Sequence, residues 1–171
     1  IPNHHSLRKY ADEVLYNPAC CDTIYFYHSG QLTPKYSFSF PHHVTKEDLR
    51  DFYSNISDTQ FLMEYAEDGK NLYLSIFDGN WAYKHYVLRK SDGNIFRGDF
   101  RLSDSFNTEF SPRWQSEGWL IDVFDPSTIN YAYSKDITED ARQKAYSYLH
   151  SVGVEGITME SDPIIMLTRA K

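Results

Sequence analysis

Cysteine is almost missing from this chain: two occur, Cys20 and Cys21, side by side. Adjacent residues do not readily close an unstrained disulfide on each other, so no intramolecular disulfide framework and no cysteine-built zinc knuckle is available. The fold must therefore rest on its core. Two reduced thiols point to a reducing, cytoplasmic compartment rather than a secreted one. A catalytic thiol working with one of the seven histidines has no local signature to support it. Long apolar runs are also lacking, and none approaches the roughly 20 residues of a membrane span. No charged-then-apolar leader opens the chain, which starts IPNHHS without a methionine, so a targeting segment could already be missing. Basic residues are outnumbered, 17 against 24 acidic, for a net charge of −7. A field of that sign repels a phosphate backbone, which excludes nucleic acid as the expected partner. There is no Gly-x-Ser-x-Gly elbow, no phosphate-binding Walker loop and no Gly-x-Gly-x-x-Gly after a strand.

What is present is apolar and aromatic. With 171 residues, 41% of them hydrophobic and 16% aromatic, the chain suits one packed core, so the expectation is a single domain over 1–171. Ser6 caps an expected helix in which Leu7, Tyr10, Ala11, Val14 and Leu15 fall at helical spacing, and Asn17-Pro18 ends it. CDTIYFYHSG and KYSFSF read as the two strands of a half-buried hairpin. Thr45 to Asp48 resembles a capping box, and Leu49, Phe52, Tyr53 and Ile56 extend a helix over about 45 to 57. Asp-Gly then occurs at 68–69, 78–79 and 92–93 between runs of period two, which gives a meander of FLMEYAE, NLYLSIF, NWAYKHYVLRK and NIFRGDFRL. GWLIDVF is a further strand after an aperiodic stretch from Ser103 to Glu117. Ala141, Ala145, Tyr148, Leu149 and Val152 mark a C-terminal helix, and VEGITME with PIIMLTR closes the chain as a strand pair. The predicted class is α+β, an antiparallel meander sheet packed with about three helices.

The stretch FRGDFRL spells Arg-Gly-Asp, a tripeptide that can serve in adhesion. Side chains alternate on a strand, so Arg97 and Asp99 share one face while Phe96 and Phe100 pack on the other. The nearby turn is Asp92-Gly93, not the tripeptide, so it reads as structure. The adjacent pairs His4-His5 and His42-His43 have no two-ligand metal spacing, and no metal is expected. Glu67-Asp68 and Glu139-Asp140 fall at a turn and a helix start, where local structure accounts for them. His28 ends an apolar strand just before Ser29-Gly30, where backbone can approach a ligand closely.

The segment IYFYHSG resembles the first-strand His-Gly-Ser or His-Gly-Thr motif of ADP-ribosyltransferases of the His-Tyr-Glu type, with serine and glycine in the opposite order. The tail SVGVEGITME followed by PIIML is similar to the way such domains finish. The resemblance implies that His28 holds NAD and that Glu160 is the catalytic carboxylate, stabilising an oxocarbenium-like transition state. FRGDFR resembles the Arg-led strand of toxin-type ADP-ribosyltransferases, but no Ser-Thr-Ser strand and no Glu-x-Glu pair follows, and that version is set aside. Exposed aromatics give the other candidate site. Trp81, Trp114, Trp119, Tyr131 and Tyr133 can form a surface of the kind that dominates interface hot spots. Two functions follow. The preferred one is a non-enzymatic acidic module, of inhibitor, immunity or accessory type, that recognises a protein partner and needs neither cofactor nor membrane. The alternative is a small NAD-consuming ADP-ribosyltransferase-like enzyme using His28 and Glu160.

Overall fold

The computed structural model describes residues 7–10, 12–79, 83–98, 101–103, 106–109, 112, 114–116, 118–124, 139, 143, 147, 149–151, 153–156 and 161–169. The chain divides into two compact units: residues 1–98 with 111–121 and 168–171, and residues 99–110 with 122–167. The first contains two four-stranded antiparallel sheets. One has the order β1 (Leu7–Tyr10), β2 (Glu13–Tyr16), β3 (Thr23–His28), β4 (Gln31–Ser37). The other has the order β5 (Gln60–Glu67), β6 (Asn71–Asp78), β7 (Tyr83–Arg89), β8 (Ile95–Arg97). Further strands are β9 (Arg101–Ser103) paired with β10 (Phe106–Glu109), and β11 (Trp114–Ser116), β12 (Trp119–Phe124) and β13 (Ile164–Thr168) in that order.

The α+β expectation is therefore corrected to a mainly β fold. Strands predominate among the described residues, and the two helices among the described elements are α1 (Lys46–Arg50) and α2 (Phe52–Asn55). The largest single change is at the N-terminus, where the expected helix is the β1–β2 hairpin. Leu7 pairs with Tyr16, Arg8 with Leu15, and Lys9 with Val14. The apolar residues here follow the helical period and do not alternate. Tertiary packing decides for the strand, because it sends Leu15 and the ring-stacked Arg8 inward and leaves Leu7 and Val14 outside.

The second expected helix is interrupted at Asp51, with φ −130° and ψ 68°. Its capping box is present: Asp48 N–H donates to the Thr45 hydroxyl at 3.2 Å, and Thr45 N–H donates to Asp48 Oδ2 at 2.8 Å. Yet α1 buries no residue. The break lets α2 and the following 3-10 turn carry Phe52 and Ile56 onto Phe61, Met63 and Phe77 instead. In the C-terminal region the described residues Glu139, Gln143, Ser147 and 149–151 are helical, and Leu149 is buried. Stretches expected to lack a period, 103–117, contain β10 and β11.

The meander follows the Asp-Gly signals. Asp68 Oδ1 accepts from the N–H groups of both Lys70 and Asn71 at 2.7 Å, which closes the β5–β6 turn. The two sheets of the first unit pack through Leu15, Ile24, Leu62, Tyr65, Leu72 and Leu74. Each such side chain contributes about 1.5–3 kcal/mol by leaving water. On its other face the β5–β8 sheet carries an aromatic row, with Phe61 stacked on Phe77 at 5.0 Å and Phe77 edge-on to Tyr83 at 5.9 Å.

Gly79 and Gly93 both hold positive φ, 69° and 71°, but differ in surroundings. A β-carbon at Gly79 would lie 2.1 Å from the Ser57 carbonyl oxygen, while one at Gly93 meets nothing within 4 Å. Urea unfolding should show Gly93→Ala losing about 1–2 kcal/mol from backbone strain alone. Gly79→Ala should lose more, about 3 kcal/mol or above, because backbone must also move. Equal losses would mean that the approach of Ser57 is not rigid.

Candidate functional site

Alternation on the β1–β4 sheet places one set of side chains against the core and the other in solvent. The inner set includes Leu15 and Ile24, both fully buried. The outer set is also apolar. Leu7 is opposite Tyr16, Tyr16 opposite Tyr25, Val14 opposite Tyr27, and Tyr27 opposite Leu32. Leu7 is 67% exposed, Tyr27 47% and Leu32 49%, while Tyr16 and Tyr25 are half-buried between them. The result is a flat face of tyrosine and aliphatic side chains, and Lys9 on β1 is its nearest charge in register. Counting four strands and about five residues of each gives a projected area on the order of 300 Å².

Behind this face lies a group of buried charges. Glu67, at the end of β5, has 1% of its side chain exposed. Its Oε1 accepts from the Tyr36 hydroxyl at 2.9 Å and faces Lys90 Nζ at 2.6 Å and Lys35 Nζ at 3.2 Å. Lys35 also reaches Glu13 at 2.5 Å. Burial alone would pull the Lys35 ammonium down, but hydrogen bonds and attraction from Glu13 and Glu67 hold it above its ordinary value. The Gln115 side-chain oxygen accepts from the Glu67 N–H, and the Gln115 amide donates to the Lys9 carbonyl at 3.2 Å. Nearby, Arg8 pairs with Glu64 and lies 4.7 Å over the Tyr65 ring. Tyr73 donates to Asp68 Oδ2 at 2.9 Å; burial, then that bond, push its phenol up to about 12. Through Lys35 and Tyr36 the Glu67 contacts tie β4 to β5 beneath the outer face. Turn chemistry accounts for Asp68, whereas Glu67 ends β5 and serves this cluster.

Of the expected site residues, His28, Trp114 and Trp119 lie among the described residues. His28 ends β3 at a two-residue turn, Ser29-Gly30, with φ of 49° and 82°, and is exposed with its ring stacked on Phe26 at 5.7 Å. Glu160 lies outside the described residues, as do Trp81, Tyr131 and Tyr133. Trp114 is half-buried on β11, and Trp119 is 36% exposed on β12 under the Arg169 guanidinium, 4.5 Å from its ring centre. Of the Arg-Gly-Asp stretch, Arg97 ends β8, and Gly98 N–H donates to the His85 carbonyl at 3.2 Å, so this part is sheet. Phe96 was expected to pack, but it is 47% exposed and covered on one side by Arg89. A buried pair that the sequence did not suggest is Ser75 with His85, opposite each other on β6 and β7 and 2.9 Å apart. In the second unit an open cleft of about 560 Å³ is lined by Gln143, Ser147, His150, Val154, Glu155 and Gly156. Among the described residues no three histidine, cysteine or acidic side chains meet in a way that could hold a metal. Among them, too, no helix is long and apolar enough to cross a membrane.

No protein-family model and no curated protein matches the chain. A solved structure does: that of a Bacteroides fragilis NCTC 9343 protein assigned as exported, with a TM-score of 0.62 at 13% identity. The alignment covers 97% of this chain and 49% of the other, so the chain spans about half the length of that protein. The likeness shows a shared fold. The cytoplasmic expectation is corrected here: the protein that shares this fold is described as exported, and two free thiols do not fix a compartment.

Glu67→Gln should destabilise the protein by about 3–5 kcal/mol, because it leaves Lys35 and Lys90 half-buried against a neutral group. Denaturant unfolding measures this, and a loss below about 1 kcal/mol would show the cluster to be well solvated. On the alkaline side, Tyr73 keeps its proton in the folded state above the pH at which the unfolded chain releases it. Its contribution is complete below about pH 10 and is lost as pH rises toward its folded value. Stability should therefore fall across that window, less steeply in Tyr73→Phe.

Proposed function

We propose that the chain is a non-enzymatic binding module that recognises a protein partner through the outer face of the β1–β4 sheet. The observation that carries this reading is the exposed set of Leu7, Val14, Tyr27 and Leu32, in register around Tyr16 and Tyr25. A contiguous apolar face of about 300 Å² matches the largest patch that ordinary monomers leave bare, and such patches are often functional. Tyrosine supplies wide contact area with a hydroxyl at its tip, and its two torsions cost little to order, which suits it to an interface. The area is below the roughly 800 Å² per partner of a stable complex, so the partner binds transiently or adds contacts beyond this face. The net charge of −7 on the whole chain steers a basic partner toward it and fixes neither partner nor pose. Likeness to an exported protein supports a partner met outside the cytoplasm.

The test is site-specific photo-crosslinking. Benzoylphenylalanine in place of Tyr27 should give one predominant protein adduct in the native host, and the same probe in place of Ser116 should not. Val14→Asp should abolish the adduct while leaving the melting temperature within a few degrees, because Val14 is already partly in water. An adduct that forms equally from both positions, or that survives Val14→Asp, would sink the proposal.

A further inference from the structure

Between β2 and β3 the chain turns through Pro18–Cys21, closed by Cys21 N–H donating to the Pro18 carbonyl at 3.1 Å. Cys20 has a φ of 57° in this turn, the left-handed region that is costly for a side chain with a β-carbon. Such strain persists only where the surroundings impose it. Here they do: Asn17, fully buried, donates through Nδ2 to the carbonyls of Cys21 at 3.2 Å and Thr23 at 2.9 Å. On an extended strand neighbouring side chains point to opposite faces. A left-handed Cys20 breaks that alternation, and both sulfurs belong to one fixed, partly exposed turn.

The two thiols differ in surroundings. Cys20 packs against the cluster of Ile56, Phe61, Met63 and Phe77, and burial pushes its thiol up. Cys21 has its sulfur 3.9 Å from Asp22 Oδ1. The geometry points to a redox modification site: Cys20 and Cys21 are a vicinal dithiol that closes to a disulfide by exchange with a small-molecule disulfide. Cys21, as thiolate, attacks one sulfur of that molecule, forms a mixed disulfide and expels the first small thiolate. Cys20 then attacks the Cys21 sulfur, forming the Cys20–Cys21 bond and expelling the second. The two cysteine protons end on the two released thiolates, so the chain is oxidised by two electrons and the small disulfide is reduced. Adjacent α-carbons are about 3.8 Å apart, closer than ordinary disulfides span, so the ring is strained and easily reopened.

The experiment treats purified, reduced protein with oxidised glutathione, blocks remaining thiols with iodoacetamide in denaturant and reads the intact mass. The expected product is a monomer lighter by two hydrogens, with no alkylated cysteine. Dithiothreitol at concentrations that spare an ordinary structural disulfide should restore both thiols. In Cys20→Ser the reaction should stop at a glutathione adduct on Cys21. Two glutathione adducts on the wild type, a disulfide-linked dimer, or two alkylated cysteines would each overturn the inference. The wild-type reading is sufficient even if Cys20→Ser fails to fold.

Discussion

A carboxylate with almost no access to water ties the first unit together. Glu67 is on β5, its partners Lys35 and Tyr36 are on β4, and Lys90 follows β7. Removing a carboxylate from water costs several kcal/mol unless charge and hydrogen bonds replace the lost hydration. Both sheets must therefore meet at one register for Glu67 to be tolerated at all. The apolar layer of Leu15, Ile24, Leu62 and Leu72 supplies most of the driving force but is less particular about alignment. The same contacts fix β4, and through it the outer face of the β1–β4 sheet.

Much of this architecture was legible. The β5–β8 meander, the β3–β4 hairpin and the Thr45 cap each rest on a local signal, an Asp-Gly turn, an alternation or a reciprocal side-chain bond, and local signals survive in a linear reading. What failed was decided at long range. In LRKYADEVLY the inward strand positions include Arg8, which is buried only because Glu64 and Tyr65 are there to receive it. No period in the sequence announces a buried arginine. The helical reading of that stretch gave Leu7 and Val14 to a core and so removed two members of the exposed face from consideration.

The candidate face was hidden for a related reason. In TIYFYH both alternating sets are apolar: Ile24 and Phe26 on one side, Tyr25 and Tyr27 on the other. A strand with two apolar sides signals either burial on both or a second surface that awaits a cover. That ambiguity was the available clue. Glu67 left no clue, because a lone acidic residue before Asp68-Gly69 looks like turn chemistry, and its lysine partners are 32 and 23 positions away. His28 stands out in the sequence as a histidine that ends an apolar strand just before Ser29-Gly30. The structure gives it a hairpin tip, where the glycine serves the turn.

Pro34 gives the β1–β4 sheet one more property. It lies within β4, the outermost strand on its side of the described sheet, next to an irregularity in the pairing with β3. Proline offers no N–H, and a bulge bends the edge, so this border is a poor template for another chain to extend by backbone pairing. A sheet with a greasy face and a receptive border would invite runaway stacking into fibrils. Here the border is blunted while the face stays open, so whatever meets this sheet is selected by side-chain shape and not by the generic adhesiveness of peptide groups.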